Sequence, residues 1–326
     1  MDLKILFAFY PLFVSYNHGI ALLSSTMKQH GWETNLYLLD DVNRFHSYLV
    51  ENKFDAICFS CVTVHDYKLS LPFIFEALAL GQNVRLGGVY ARWKNLSIPG
   101  VAVCSTELIE YDSLNDLPLP DYALFKNIPF DREYPWLKNN EKVIPYHTSR
   151  GCIHKCSFCM APFQGTKFDV RRKVEKDLRA ITSTYNPDVI VICDETTPYF
   201  DKGWRESWGD FRFPFMCYIR ADITEDQLLW LIDRGLTACM FGVESGNEKY
   251  RNEILNKHLF DKDICRTINT LKNNNISYAP FYMTDTPMET MTIKKQTYDM
   301  SRDLGGYPVI FQYEDIFEEA KKWVQQ

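Results

Sequence analysis

Apolar residues in this chain come in short blocks separated by longer amphipathic stretches, and the rhythm is interrupted once near the middle. In the first half, the blocks at 3–9, 36–39, 56–59 and 84–86 are too short for helices and nearly unbroken, as strands buried on both faces are. A fifth strand is read at 101–103. Residues 19–30, 42–52 and 68–80 carry the spacing of helices with one apolar face. Alternating strands and helices of this kind predict a doubly wound, Rossmann-like parallel sheet with its ligand crevice beyond the carboxyl ends of the strands. Residues 116–142 break the pattern with Pro118, Pro120, Pro129 and Pro135 and read as a linker or a segment wrapped over the surface. From 143 onward the alternation returns, with strands at 143–148, 189–193, 213–219, 238–243, 276–283 and 309–313. Helices are expected at 174–185, 225–233, 263–272 and 292–303. Six βα-type units predict a partial (βα)6 TIM-type barrel. The expected organisation is therefore an α/β domain at 1–115, a linker at 116–142 and the partial barrel at 143–326. No internal repeat or low-complexity segment interrupts it.

Composition mainly excludes. Hydrophobic residues make up 46% of the 326, ordinary for a globular chain, and aromatics 15%. A formal charge of −6 gives no broad basic surface for nucleic acid, and Arg171, Arg172 and Lys173 read as a solvated helix start. No apolar run approaches the ~18 residues of a membrane span. Residues 5–14 imitate the core of a signal peptide but contain Pro11, have only Lys4 as a positive flank and lack a small-residue cleavage site. They read as a buried first strand. A cytoplasmic, reducing location is expected, where the ten cysteines serve as ligands or catalytic groups before disulfides.

Three of those cysteines, Cys152, Cys156 and Cys159, form a C-x₃-C-x₂-C array just after the strand at 143–148. Functional loops of parallel barrels follow the carboxyl ends of strands. A structural zinc site wants four protein ligands and a cubane iron–sulfur cluster normally four cysteines. Three cysteines would hold three irons and leave the fourth to a small molecule. The alternatives are a zinc site completed by His147 or His154, or unligated core thiols, the latter at odds with the interleaved His154, Lys155 and Ser157.

The run Arg150-Gly151-Cys152-x₃-Cys156-x-Phe158-Cys159 resembles the signature of the radical SAM superfamily. The resemblance implies a [4Fe-4S] cluster on the three cysteines, with S-adenosylmethionine (SAM) chelating the open iron. Reductive cleavage there gives a 5′-deoxyadenosyl radical, the protein supplying binding and orientation. It extends over the second half. Phe158 matches the aromatic position beside the adenine. Asp194 and Glu195, in Cys193-Asp194-Glu195-Thr196, fall where the family receives the methionyl ammonium; in the plainer reading they cap the next helix. Arg220 and Asp222, in Tyr218-Ile219-Arg220-Ala221-Asp222, match a subgroup pattern in which the arginine reaches the cofactor, or they form a rim ion pair. Glu244, in Gly242-Val243-Glu244-Ser245-Gly246, matches G-x-E-S-G and would meet ribose hydroxyls or anchor the site. One stretch departs: where the subgroup has G-x-P-G-E-T, this chain has Asp285-Thr286-Pro287-Met288-Glu289-Thr290. Glycine's backbone freedom is expected to be lost at Asp285 and Met288.

The first half resembles the cobalamin-binding-type domain that precedes some radical SAM barrels. Residues 17–23, 59–63 and 86–91 carry this likeness, each at a strand end or helix start. Ser60, Thr63, Gly87 and Gly88 are the candidate cobalamin contacts. No D-x-H-x-x-G stretch supplies a histidine to cobalt, and His18 and His65 read as polar loop residues. Cys58 and Cys61 read as packing rather than a redox pair, and Cys193, Cys217 and Cys239 as core. Trp204 and Trp208 read as core of the following helix, with a substrate mouth as the alternative. The resemblance implies a cobalamin-dependent methyltransferase acting on an unactivated carbon. The alternatives are a cobalamin-independent radical SAM rearrangement, cyclisation, epimerisation or oxidation, and, in another class, a zinc-bearing binding module. The expected partners are a small-molecule or peptide substrate and an electron donor such as flavodoxin or ferredoxin, with no membrane and no nucleic acid.

Overall fold

The structure, a computed structural model, describes residues 3–11, 16–93, 96–104, 111–125, 137, 141–159 and 167–313. The chain divides into two compact units, residues 1–112 with 116–130, and residues 113–115 with 131–326.

Unit 1 holds a five-stranded parallel sheet of β1 (Lys4–Phe9), β2 (Glu33–Leu38), β3 (Ala56–Ser60), β4 (Val84–Gly87) and β5 (Val101–Val103) in the order β2-β1-β3-β4-β5. The order reverses between β1 and β3, which places a topological switch point there. α1 (His18–Gln29), α2 (Val42–Glu51), α3 (Val64–Ala79) and the short α4 (Val89–Trp93) make the crossovers. β1 and β3 are apolar because they are covered on both faces: Leu6, Ala8 and Ile57 are fully buried, and Phe45, Phe73 and Ile74 pack in the same core. β2 begins three residues earlier than its apolar letters suggest. It is an edge strand, so Glu33 faces outward and pairs with Lys4 at 3.2 Å. α3 likewise begins earlier than residue 68. Thr63 accepts from Asp66 N while the Asp66 carboxylate accepts from Thr63 N, a reciprocal cap that fixes the start.

Residues 116–125, read from sequence as part of a linker, are packed into unit 1. Asp121 N donates to Ala21 O, and the Asp121 carboxylate accepts from Ser24 Oγ at 2.6 Å and pairs with Lys28 at 2.7 Å. Pro129, Pro135 and the rest of the proline-rich stretch fall outside the described residues.

Unit 2 is built on six parallel strands, each paired to the next in sequence. They are β6 (Val143–Tyr146), β9 (Val189–Ile192), β10 (Phe215–Tyr218), β11 (Leu236–Glu244), β12 (Ser277–Thr284) and β13 (Val309–Gln312). This is a half-barrel, with β6 and β13 as its edges among the described residues. α5 (Val174–Tyr185), α7 (Glu225–Asp233), α9 (Asp261–Asn273) and α10 (Met291–Leu304) are the predicted helices. α5 shows why: Val174, Asp177, Leu178 and Ile181 form one buried stripe. Sequence periodicity passed over a two-residue ladder, β7 (Ser149–Arg150) with β8 (Asp169–Val170), and the short helices α6 (Lys202–Glu206) and α8 (Glu248–Glu253). Helices of five or six residues have no room to display a period. Trp204 and Trp208 are fully buried against each other and Trp230, so the core reading holds and the substrate-mouth alternative does not. No helix among the described residues is long and apolar enough to cross a membrane.

Candidate active site

The carboxyl ends of β6, β9, β10 and β11 carry the residues singled out in unit 2, and two of the loops there are laced together. The first follows β6 and holds Cys152 and Cys159, both half-buried, and Cys156, which is buried. The second, residues 254–258, follows α8. Ser157 N donates to Leu255 O at 3.0 Å, Ser157 Oγ to Ile254 O at 2.9 Å, and Asn256 Nδ2 to Lys155 O at 2.7 Å. The fully buried Arg251 shapes the second loop from behind, donating to Ser245 O and Leu259 O and pairing with Asp261.

Asp194 sits at the end of β9 but faces the start of the cysteine loop. It is 2% exposed, and its carboxylate accepts from Thr148 N at 2.7 Å, Ser149 N at 2.9 Å and Thr148 Oγ1. Trp204 Nε1 donates to Thr148 Oγ1 from α6 at 2.9 Å. Burial pushes the Asp194 carboxyl up to about 7 even though the three donors pull it down. The neighbouring Glu195 is exposed.

Arg220 is buried at the end of β10. It pairs with Asp222 at 3.1 Å and donates through Nη2 to Lys257 O at 2.8 Å and His258 O at 3.2 Å, so the rim ion pair exists and is joined to the second loop. Glu244, at the end of β11, has φ +70° and is bound to the ammonium of Lys257 at 2.5 Å. That ammonium lies 5.5 Å from the centre of the Phe158 ring, a cation–π contact. Gly242 leaves the space this requires: a Cβ there would fall 1.8 Å from Glu244 Oε1 and 2.6 Å from Lys257 Nζ. Phe158, Arg220 and Glu244, three residues expected from sequence, are thus brought together by a fourth, Lys257, which the sequence reading missed. It lies thirteen positions beyond Glu244, a spacing that belongs to no motif.

The donor set can be tested against the groups the sequence implies. None of the ten cysteines is in a disulfide. Among the described residues, no three His, Cys, Asp or Glu side chains converge on a single metal ion. His147 and His154, the candidate fourth ligands to zinc, are both driven down to about 4, by burial first and then by neighbouring cations, and are neutral imidazoles, the form that can bind a metal. Three thiols in one loop are the donor set of a cubane with one iron left open.

The loop after β12 corrects the expectation that its lost glycines change the backbone. Asp285 and Met288 both take up left-handed conformations, with φ of 63° and 64°. The turn is held from outside: Asp285 pairs with Lys294 at 2.6 Å, and Tyr250 OH donates to Pro287 O at 2.7 Å. A left-handed residue with a Cβ costs ~1–2 kcal/mol, and glycine gives back ~0.4–1 kcal/mol in the unfolded chain. Met288, 71% exposed, loses little contact on truncation. Met288→Gly is therefore expected to be neutral to stabilising by about 1 kcal/mol, read from the denaturation midpoint.

In unit 1 the candidate contacts cluster at the carboxyl edge of the sheet, and each already has a structural task. Asn17 Nδ2 donates to Ser60 Oγ at 3.1 Å, tying α1 to the end of β3 beside the switch point. Thr63 caps α3. Cys61 N donates to Gly87 O at 3.0 Å. Gly88 has φ +94°, and a Cβ on it would lie 2.3 Å from Cys61 O. Gly88→Ala is expected to cost about 2–4 kcal/mol through left-handed strain and overpacking, measured as a fall in denaturation midpoint. Burial pushes the Cys58 thiol up to about 11 and Cys61 to about 12, so both pack rather than react. His18 lies beside Tyr16, its Nδ1 3.3 Å from the hydroxyl.

No protein-family model and no curated protein matches the chain. Solved structures do match. The radical S-adenosylmethionine methyltransferase TsrM from Kitasatospora setae, with tryptophan substrate and a SAM analogue bound, superposes with a TM-score of 0.71 at 13% identity, over 95% of this chain and 73% of that one. A second TsrM structure, with cobalamin and a [4Fe-4S] cluster bound, gives 0.71 at 12% identity over 96% and 72%. The cobalamin-dependent S-adenosylmethionine radical enzyme OxsB, with aqua-cobalamin and S-adenosylmethionine bound, gives 0.67 at 16% identity over 94% and 53%. The chain has the fold of these enzymes, a Rossmann-like sheet and a half-barrel, and spans about half the length of OxsB.

Proposed function

We propose that this protein is a radical SAM enzyme. The observation that carries the reading is the loop after β6, where Cys152, Cys156 and Cys159 lie on a segment hydrogen-bonded to residues 254–258 and Phe158 meets the Lys257–Glu244 pair. Cys152, Cys156 and Cys159 would hold a [4Fe-4S] cluster through three irons. When bound there and reduced by an external one-electron donor of the flavodoxin or ferredoxin type, such a cluster would supply the electron for reductive cleavage of SAM to methionine and a 5′-deoxyadenosyl radical. The chain's own residues bind and orient. Phe158 offers a flat face to the adenine, Glu244 a carboxylate to the ribose hydroxyls, and Arg220 a cation near Cys156. Asp194 fixes the backbone that leads into the cysteine loop. Its carboxylate is engaged there, which leaves Glu195 as the free carboxylate of that strand end for the methionyl ammonium.

The finer reading is cobalamin-dependent methyl transfer to an unactivated carbon of a small-molecule or peptide substrate. It is supported by the fold shared with TsrM and OxsB and by the switch point of unit 1, where Ser60, Thr63, Gly87 and Gly88 gather. The internal tasks of those four residues favour backbone and shape recognition of a corrin over side-chain contacts. They also keep a second reading in view, direct use of the adenosyl radical without cobalamin. Anaerobic incubation of the reconstituted protein with SAM, a reductant and cobalamin, followed by mass spectrometry, tests both levels. 5′-Deoxyadenosine formation is expected, and its absence rejects the enzyme class. Specific retention of cobalamin supports methyl transfer, and failure to retain it rejects that subclass alone.

A further inference from the structure

Lys257 joins three of the residues that the sequence singled out in the half-barrel, Phe158, Arg220 and Glu244, yet it matches no motif. Its ammonium is paired with Glu244 and stands over Phe158, and its carbonyl accepts from Arg220. The turn that carries it, with Asn256 at φ 50° and His258 at φ 51°, is the one to which the cysteine loop is hydrogen-bonded. Lys257 and Glu244 are each only 7% exposed. A buried pair of this kind gains little for stability over an apolar pair, so its worth lies in what it orients. Here it fixes two things at once. The Glu244 carboxylate is held in place on a left-handed backbone, where rotation of its side chain would otherwise be free. The Phe158 ring, two residues from Cys156 and next to Cys159, is held by a cation on its face.

We propose that Lys257 is the positioning residue of the SAM site, setting Glu244 and Phe158 in register with the cysteine loop so that adenosine and the open iron are presented together. This rests on the radical SAM reading above. The step it governs is binding, before any bond is broken, so its loss weakens SAM binding while leaving the thiols able to build a cluster.

The test is Lys257→Met in the full chain, reconstituted anaerobically, with two readouts. Iron and sulfide content reports the cluster, and the change in the electron paramagnetic resonance signal of the reduced cluster on SAM titration reports binding. Wild-type cluster content with a SAM affinity lowered about 10–100-fold is expected, the range seen when residues that orient metal-site groups are removed. Lys257→Arg, which keeps the cation, is expected to recover most of that loss. Wild-type affinity in Lys257→Met overturns the proposal, as does loss of the cluster itself, which would make the residue structural. Should the methionine variant not fold, Lys257→Gln, with a hydrogen-bonding head, is judged by the same two readouts. A wild-type signal that does not respond to SAM rejects the enzyme class instead, which keeps the two failures distinct.

Discussion

Cys156→Ala is expected to lose the iron–sulfur cluster and, with it, all 5′-deoxyadenosine formation above background, a fall of at least about 100-fold, since even groups one shell outside a metal are worth 10–100-fold. Cys156 is the buried member of the trio, two residues from Phe158 and next to Ser157, which is bonded to the 254–258 loop. The alanine variant therefore keeps the loop's hydrogen bonds and loses only a ligand. Iron and labile-sulfide assays on protein purified without oxygen, followed by product analysis, check this. Full product from the variant would remove the three-thiol site from the mechanism, and zinc without sulfide in the wild type would favour the zinc-bearing binding module instead.

The second large effect is expected at Asp194. Asp194→Ala leaves Thr148 N and Ser149 N buried without an acceptor, at a cost of about 2–5 kcal/mol. It also frees the Thr148 hydroxyl on which Trp204 bonds, so the disturbance reaches α6. Asp194→Asn tests the charge separately. Burial raises the folded carboxyl to about 7 from an unfolded value of 3.8. The unfolded chain therefore releases this proton first as pH rises. The contribution is fully present below about pH 4 and is lost progressively up to about pH 7. Thermal melts of wild type and Asp194→Asn on metal-free protein should differ by an amount that shrinks across this interval and is constant above it. A pH-independent difference would mean that the three donors outweigh burial and that the group stays ionised when folded.

What the sequence revealed and what it hid follow from how each feature is encoded. Strand and helix order in both units was legible because parallel strands covered on both faces are written as unbroken apolar runs, as in Ile5 to Phe9 and Val189 to Ile192. β2 was misplaced at its start because its first three residues are polar: Glu33 faces solvent, while Thr34 is buried and hydrogen-bonded to Ser24, a pairing the sequence does not display. The cysteines were legible because all three ligands lie in one loop. Lys257 and Arg251 were not, because their partners are carbonyls and carboxylates brought near only by folding. Asp194 was found for its place at a strand end, but its work is different from that expected: its oxygens face the backbone of the neighbouring strand. Trp204 is seen as part of that same support only once α6 is in place.

The turn after β12 has one more consequence. Asp285 and Met288 carry a path of the main chain that is usually spelled with glycine, and outside bracing by Lys294 and Tyr250 supports it. Its shape is thereby lent by α10, which supplies Lys294, and by α8, which supplies Tyr250, so that a disturbance of either helix would be felt in the loop.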